Sequence, residues 1–246
     1  MALTVWAALT AASASPLRVV DPSGVTVDWT AGELRARGLG VADRRAPGPA
    51  TARAAARRRA VADAQRQLVA AARALPWADG GALGDHLDAR ALAAAALGAK
   101  IADAEPLVDG SWRVELALPL EALRQAVTGP RPVVLDGPGV GAAASAVASA
   151  ADDADALPLL IVRAPAAAKP ALGIAVQDRG TSRRGATLWV RGSTEGAGLP
   201  AQLLERAPVV EASLVGAGSG LRVARLPVTG RIRVTDATLF LIVLGQ

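Results

Sequence analysis

Cysteine is absent from the chain, which excludes disulfides, thiolate metal sites, a cysteine nucleophile and a lipidated N-terminal cysteine. Histidine occurs once, as His86, so a multi-histidine metal centre is excluded. A Ser-His-Asp triad would have to use that one residue, and no G-x-S-x-G elbow accompanies it. His86 follows Asp85 at the start of a helical pattern, where a surface or capping role is expected. Tyrosine is missing, phenylalanine occurs once, and aromatics make up 2% of the 246 residues, so the core must be built from Leu, Val and Ala. Lysine is confined to Lys100 and Lys169, which leaves 27 − 2 = 25 arginines among the basic residues. The net charge of +5 points toward nucleic acid, but the arginines are spread along the chain without interleaved aromatics for base stacking. Beyond the N-terminus no stretch reaches the roughly 18 uninterrupted apolar residues of a membrane span.

What is present begins with MALTVWAALTAASASP, an apolar run ending in the small-x-small pattern Ala12-Ser13-Ala14. It reads as a signal peptide over residues 1–14 with cleavage after Ala14, giving a periplasmic or secreted protein. No Lys or Arg precedes the apolar run, which leaves an ordinary buried segment as the competing reading.

The longest helical pattern runs from Ala50 to Leu75. Val61, Leu68 and Leu75 recur every seven residues, with Ala54 and Ala72 placed on the same apolar stripe, and Arg59, Arg66 and Arg73 fall opposite. Its alanines would let the helix lie close to a sheet. Thr51 is the expected N-cap region. Before it, Val25–Thr30 and Glu33–Val41 alternate around Ala31-Gly32 and predict a hairpin. After it, Asp85–Ala99 predicts a second helix with Leu83, Leu87 and Leu97 on its apolar face. Lys100–Val108 and Ser111–Leu118 then predict two strands around Asp109-Gly110, with Trp112, Val114, Leu116 and Leu118 sharing one face. A short helical exit follows at Glu121–Val127.

The order strand-strand-helix-helix-strand-strand predicts an α+β domain over residues 15–127, with two helices on one sheet. Residues 128–156 turn to Gly, Pro, Ala and Ser and read as a linker. Residues 157–246 carry short β-type runs at Leu159–Val162, Gly173–Gln177, Ala186–Arg191, Val209–Val215, Leu221–Ala224, Arg231–Thr235 and Leu239–Leu244. They predict a small β-rich module.

VDWTAGELRARGLG, ARAAARRRAVADAQRQL and DGSWRVELALPLEAL together resemble the N-terminal domain of the flagellar assembly protein T, which is related to a family of small outer-membrane lipoproteins. The pattern is carried by Trp29, by Gly38 and Gly40, by Ala60, Asp63, Ala64, Arg66 and Leu68, and by Asp109 and Gly110. It covers roughly Gly24 to Leu123. Later segments, LPLLIVRAPAAAKPALGIAVQDRG and APVVEASLVGAG, more loosely resemble C-terminal parts of larger bacterial members. The resemblance implies an exported, non-enzymatic envelope protein. This chain departs from the lipoproteins in having no lipobox cysteine.

Few residues carry chemistry. Gly137-Pro138-Gly139-Val140-Gly141-Ala142 spells the dinucleotide spacing GxGxxA, but a proline separates its first two glycines and no repeated βαβ pattern surrounds it. Asp152, Asp153 and Asp155 form an acidic cluster without the Gly and distal Glu of a calcium loop. A linker is the plainer reading of both. Arg57-Arg58-Arg59 could bind phosphate or anionic lipid, but a solvated helix face with ion pairs to Asp63 is the plainer reading. The expectation is therefore no catalytic, cofactor-binding or metal-binding residue. Function is expected to lie in contacts with other envelope proteins, without nucleic acid or a membrane span, and with peripheral membrane association left open. The alternatives are a nucleotide-dependent enzyme using Gly137–Ala142, and an arginine-mediated binder of anionic polymer or lipid.

Overall fold

A computed structural model describes residues 16–129, except 22 and 44, and residues 157–245, except 179–180, 216–219, 230–231 and 237. The signal-peptide reading over residues 1–14, the Gly137–Ala142 loop and the Asp152–Asp155 cluster lie outside the described residues. The chain is α+β. Its first half runs β1 (Arg18–Val20), β2 (Thr26–Asp28), β3 (Glu33–Gly40), α1 (Pro49–Ala74), α2 (Ala89–Leu97), β4 (Lys100–Pro106), β5 (Trp112–Pro119) and α3 (Leu120–Thr128). The strands form one antiparallel sheet in the order β1-β2-β3-β5-β4.

Strand alternation decides which face of that sheet is covered. On β5, Val114, Leu116 and Leu118 are buried, while Arg113, Glu115 and Ala117 point to the opposite face. On β3 the buried face carries Leu34, Ala36, Gly38 and Gly40. Helix α1 lies on that face and meets the two glycines with its smallest side chains. A Cβ built on Gly40 would sit 2.6 Å from the Ala60 nitrogen and 2.8 Å from the Ala56 carbonyl carbon. One built on Gly38 would sit 3.0 Å from the Ala64 Cβ, and nearer still to main-chain atoms of Ala60 and Ala64. The helix therefore rests almost backbone to backbone on the sheet.

That approach fixes the helix's rotation. The buried positions are Ala56, Ala60, Ala64, Leu68 and Ala72, a strict i, i+4 row. The seven-residue stripe expected from the sequence is corrected in two places: Ala54 is exposed, and Val61 is only half-buried. The N-cap is Gly48, followed by Pro49 in the first turn, rather than Thr51. The second helix is also shorter than its pattern. A 3-10 turn over Leu83–Asp85 comes first, and α2 then starts at the N-cap Asp88, whose carboxylate accepts from the Ala91 amide at 2.7 Å. Leu83 and Leu87 are buried as expected, but Leu97 is exposed; Leu92 and Ala96 form the buried face of α2.

The second half contains β6 (Leu159–Ala164), β7 (Val176–Asp178), β8 (Thr181–Arg183), β9 (Thr187–Arg191), α4 (Ala201–Arg206), β10 (Val209–Val215), β11 (Gly220–Val223), β12 (Val228–Thr229), β13 (Ile232–Arg233) and β14 (Leu239–Leu244). A seven-stranded sheet has the order β8-β7-β11-β10-β6-β14-β9, and β12 pairs with β13 separately. Its four neighbouring strands β10, β6, β14 and β9 are parallel. Parallel strands are covered on both faces, and LFLIVL of β14 is buried at all six positions. Leu159, Ile161, Leu239, Leu241 and Val243 face α4 and the 3-10 turn Thr194–Ala197. Leu160, Val162, Phe240, Ile242 and Leu244 belong to the cluster that also holds Leu34, Leu68 and Trp77. The apolar core is thus continuous from one half to the other.

Candidate functional site

Three groups of polar side chains are candidates, and each is positioned by the packing just described. The first covers the open face of the five-stranded sheet, opposite α1. Arg18 pairs with Asp28, Arg35 with Glu33 at 2.7 Å and with Glu115 at 3.5 Å, Arg37 with Glu115 at 2.5 Å, and Arg113 with Glu105 at 3.1 Å. Asp28 and Glu33 are directly opposed across β2 and β3 and both are buried, an arrangement that repels unless cations stand beside them. Arg18 and Arg35 supply them. Asp28 also accepts from the amides of Thr30 and Ala31, at 3.1 and 2.8 Å. The hydrogen bond to Glu33 pushes the Arg35 guanidinium further above its usual value, and Glu115 does the same for Arg37. A depression of about 200 Å³ lies among these groups. Across the face as a whole the four arginines are matched by the four carboxylates Asp28, Glu33, Glu105 and Glu115.

The second group lies where the two halves meet. Trp189 donates its amide to the Trp29 carbonyl at 3.1 Å. The Thr30 hydroxyl donates to the Trp189 carbonyl at 2.8 Å and accepts from the Leu17 amide at 2.8 Å, so both of its roles are filled. Leu172 exchanges main-chain bonds with Pro76 and Ala78, both at 2.9 Å, and Gly173 faces the Trp77 ring. Arg124 is buried, donates to Glu121 at 2.5 and 2.6 Å, and reaches the Arg184 carbonyl at 3.1 Å. Arg184 in turn grips Asp79 through two bonds of 2.7 and 2.8 Å and donates to the Gly173 carbonyl. An opening of about 260 Å³ is bordered by Arg124, Thr128, Ser182, Arg184 and Asp236. A neighbouring apolar crevice beside Trp29, Leu120, Leu172 and Leu239 offers only about 30 Å³. The two arginines hold the halves together, and their guanidiniums are already engaged by carboxylates and carbonyls.

The third group is the arginine-rich start of α1. Arg57 lies over the Trp112 ring, 5.6 Å from its centroid. Arg59 donates to the Val41 carbonyl at 3.1 Å and pairs with Asp43 at 3.5 Å. The expected pairing of Arg57–Arg59 with Asp63 is corrected: Asp63 accepts from Arg66 at 2.8 Å, from Gln67 at 3.1 Å and from the Leu39 amide at 3.1 Å. β3 pairs with β2 only as far as Arg35, so the Leu39 amide has no strand partner on that side, and a helix carboxylate takes that place. Ala60, Asp63 and Ala64 thus share one task, seating α1 on β3, while Arg66 pairs with Asp63 at the surface.

His86 is exposed at the end of the 3-10 turn, its ring 5.3 Å from that of Trp77. Asp21 closes the β1–β2 turn. Burial pushes its carboxyl up, but bonds from the Ser23 hydroxyl and from the amides of Val25, Ser23 and Gly24 outweigh that and leave it below the usual value. Among the described residues no cluster of three or more His, Asp or Glu is placed to hold a metal ion. No described helix is long and apolar enough to cross a membrane. Sequence reasoning missed Thr30 and the Glu121–Arg124 pair. The i, i+3 spacing of the latter was a signal, while Thr30 gained its role only from a partner 159 residues away. No family model matches the chain, and no curated protein matches it either.

Proposed function

We propose that the chain is an exported structural or assembly protein of a Gram-negative cell envelope, acting through contacts with other envelope proteins. The observation that carries this reading is the engagement of its most buried carboxylates. Asp28, Glu33 and Glu121 are each held by an arginine, and those arginines are in turn spent on holding sheet and halves together. General acid–base work needs a carboxyl free to exchange a proton with substrate, and these are committed to structure. The resemblance to the flagellar assembly protein T domain supports the same reading. It gains a physical basis in Gly38, Gly40, Ala60 and Ala64, which fit together as one contact.

The surface suited to a partner is the open sheet face, wide, charge-balanced and interrupted by exposed Leu39 and Val20. Expression with the native N-terminus in a Gram-negative host tests the reading. Export predicts periplasmic protein whose intact mass begins at Ser15; a product retaining Met1 sinks that part. A photo-crosslinking residue in place of Leu39 should give discrete adducts with envelope proteins, and a residue in place of Arg73 should not. Equal or absent crosslinking at both positions removes the case for this face.

A further inference from the structure

We infer that the end of the molecule formed by the start of α1, the exit of β3 and the tip of the β4–β5 hairpin docks on an anionic bilayer surface. Three packing contacts bring these segments together. Gly40 lies against Ala56 and Ala60, Arg59 reaches the Val41 carbonyl at 3.1 Å, and Gly110 lies against the Ala42 side chain. Arg57 over Trp112 ties the helix to the strand that leaves the hairpin. This inference concerns a different surface from the open sheet face and stands independently of the assembly reading.

Two separate properties of this end point to a bilayer. The first is charge. Arg45, Arg53, Arg57, Arg58 and Arg59 stand against Asp43 and Asp109, so the described residues here carry 5 − 2 = +3. From Pro49 to Arg59 the exposed positions are Pro, Thr, Ala and Arg alone, with no acid in the first turn. The guanidiniums therefore stand out from a ridge of methyl groups and are the first part of the helix that a surface meets. Arg53 and Arg58 have no ion pair among the described residues. Guanidinium groups bind phosphate diesters through two parallel N–H bonds, and the positive helix end adds to the attraction.

The second property is apolar. Val108, at the hairpin apex, is fully exposed, and Val41 is exposed by 60%. Single surface valines are ordinary on soluble proteins, but here two stand at the same end of the molecule as the arginines. A bilayer receives both features at once: headgroup phosphates meet the arginines, and the apolar layer beneath receives the valine tip. A nucleic acid would meet only the arginines, and the one nearby indole, Trp112, is already covered by Arg57.

The test uses the full chain and vesicles of equimolar phosphatidylglycerol and phosphatidylcholine, with phosphatidylcholine vesicles as reference, in co-sedimentation at low salt. Partitioning should favour the anionic vesicles by about tenfold or more and fall steeply as salt is raised. Arg53→Glu with Arg58→Glu should abolish that preference. Val108→Asp should lower binding severalfold while leaving the urea midpoint unchanged, since none of the three side chains supports the fold; Arg53→Gln with Arg58→Gln repeats the charge test should the reversal disturb folding. No preference for the anionic vesicles overturns the inference, as does binding indifferent to the arginine changes. Soluble polyphosphate or duplex DNA bound as tightly, with Val108→Asp without effect on vesicle binding, also overturns it in favour of a free polyanion.

Discussion

Replacing Gly40 by alanine isolates the contact on which the first half is built. Its φ lies outside the left-handed region, so alanine is allowed there, and the change alone should stabilise by about 0.4–1 kcal/mol by restricting the unfolded chain. The fold opposes this. The new Cβ would overlap the Ala56 carbonyl oxygen outright and lie 2.6 Å from the Ala60 nitrogen, and ordinary contact begins at 3.4 Å, so α1 must retreat by at least 3.4 − 2.6 = 0.8 Å. The obstructing atoms are main chain, and no rotamer change clears them. A gap of that size forfeits roughly a quarter to a half of each dispersion contact along the row Ala56, Ala60, Ala64, Leu68. Overpacking of this kind costs about 1–3 kcal/mol, occasionally more. With several residues lifted together, a gross cost of about 3 kcal/mol is expected, and a net loss of about 2–3. Urea denaturation followed by far-UV circular dichroism would measure it. An alanine variant as stable as the parent, or more so, would refute the close helix–sheet contact, because the sign of the effect depends on it.

Three further outcomes follow from the same structure. Leu68→Ala should cost about 2–5 kcal/mol in the same assay, and Arg66→Ala under about 0.5, because Leu68 is buried and Arg66 is a solvent-facing member of an i, i+3 pair; comparable losses would mean that the helix rotation is wrong. Thr30→Val should cost about 1–3 kcal/mol by leaving the Leu17 amide without its acceptor, and tryptophan fluorescence and circular dichroism should report one shared transition; separate transitions would contradict a core continuous across both halves. Asp21 has a lowered pKa when folded, so its contribution is present above its ordinary value of 3.8 and is lost as pH falls through the folded value; Asp21→Asn should therefore flatten the decline in stability on acidification, and a variant that tracks the parent would exclude that role.

The first half was legible because its signals are local. The Asp109-Gly110 turn places Gly110 at φ 83°, and Ala31-Gly32 places Gly32 at φ 68°, so both hairpins could be read from the residues that make them. The face of β5 followed from simple alternation. The pattern places helix α1 correctly, yet it selects a different buried row. Hydrophobicity weights Val61 above Ala56 and Ala60, whereas close approach to two glycines selects the smallest side chains. A size criterion applied jointly to Gly38, Gly40 and the alanines would have found the row. A hydrophobicity criterion could not. The same limit explains Leu97, whose apolar side chain ended up exposed at the helix end.

The second half shows why pairing is harder to read than strands. The runs at Leu159–Val162 and Leu239–Leu244 were found, but both are continuously apolar, and nothing within either one reveals that they pair in parallel across some eighty intervening residues. Once paired, each strand divides its side chains between two cores: Ile161 and Leu241 go toward α4, Val162 and Ile242 toward the first half. That division makes the second sheet a partner of the first rather than an appendage. It also explains why charge is so sparse inside β6 and β14, where Arg163 is the one charged residue. A polar side chain at any other position of those strands would be buried from either side. Three sets of arginines stand elsewhere: where the halves meet, on the open face and along α1. The first two of these sets are neutralised by carboxylates of the chain itself, and of the three only the third keeps an excess of positive charge. A surface for an external anion is therefore expected on α1 and its neighbours, and the other two sets serve the fold.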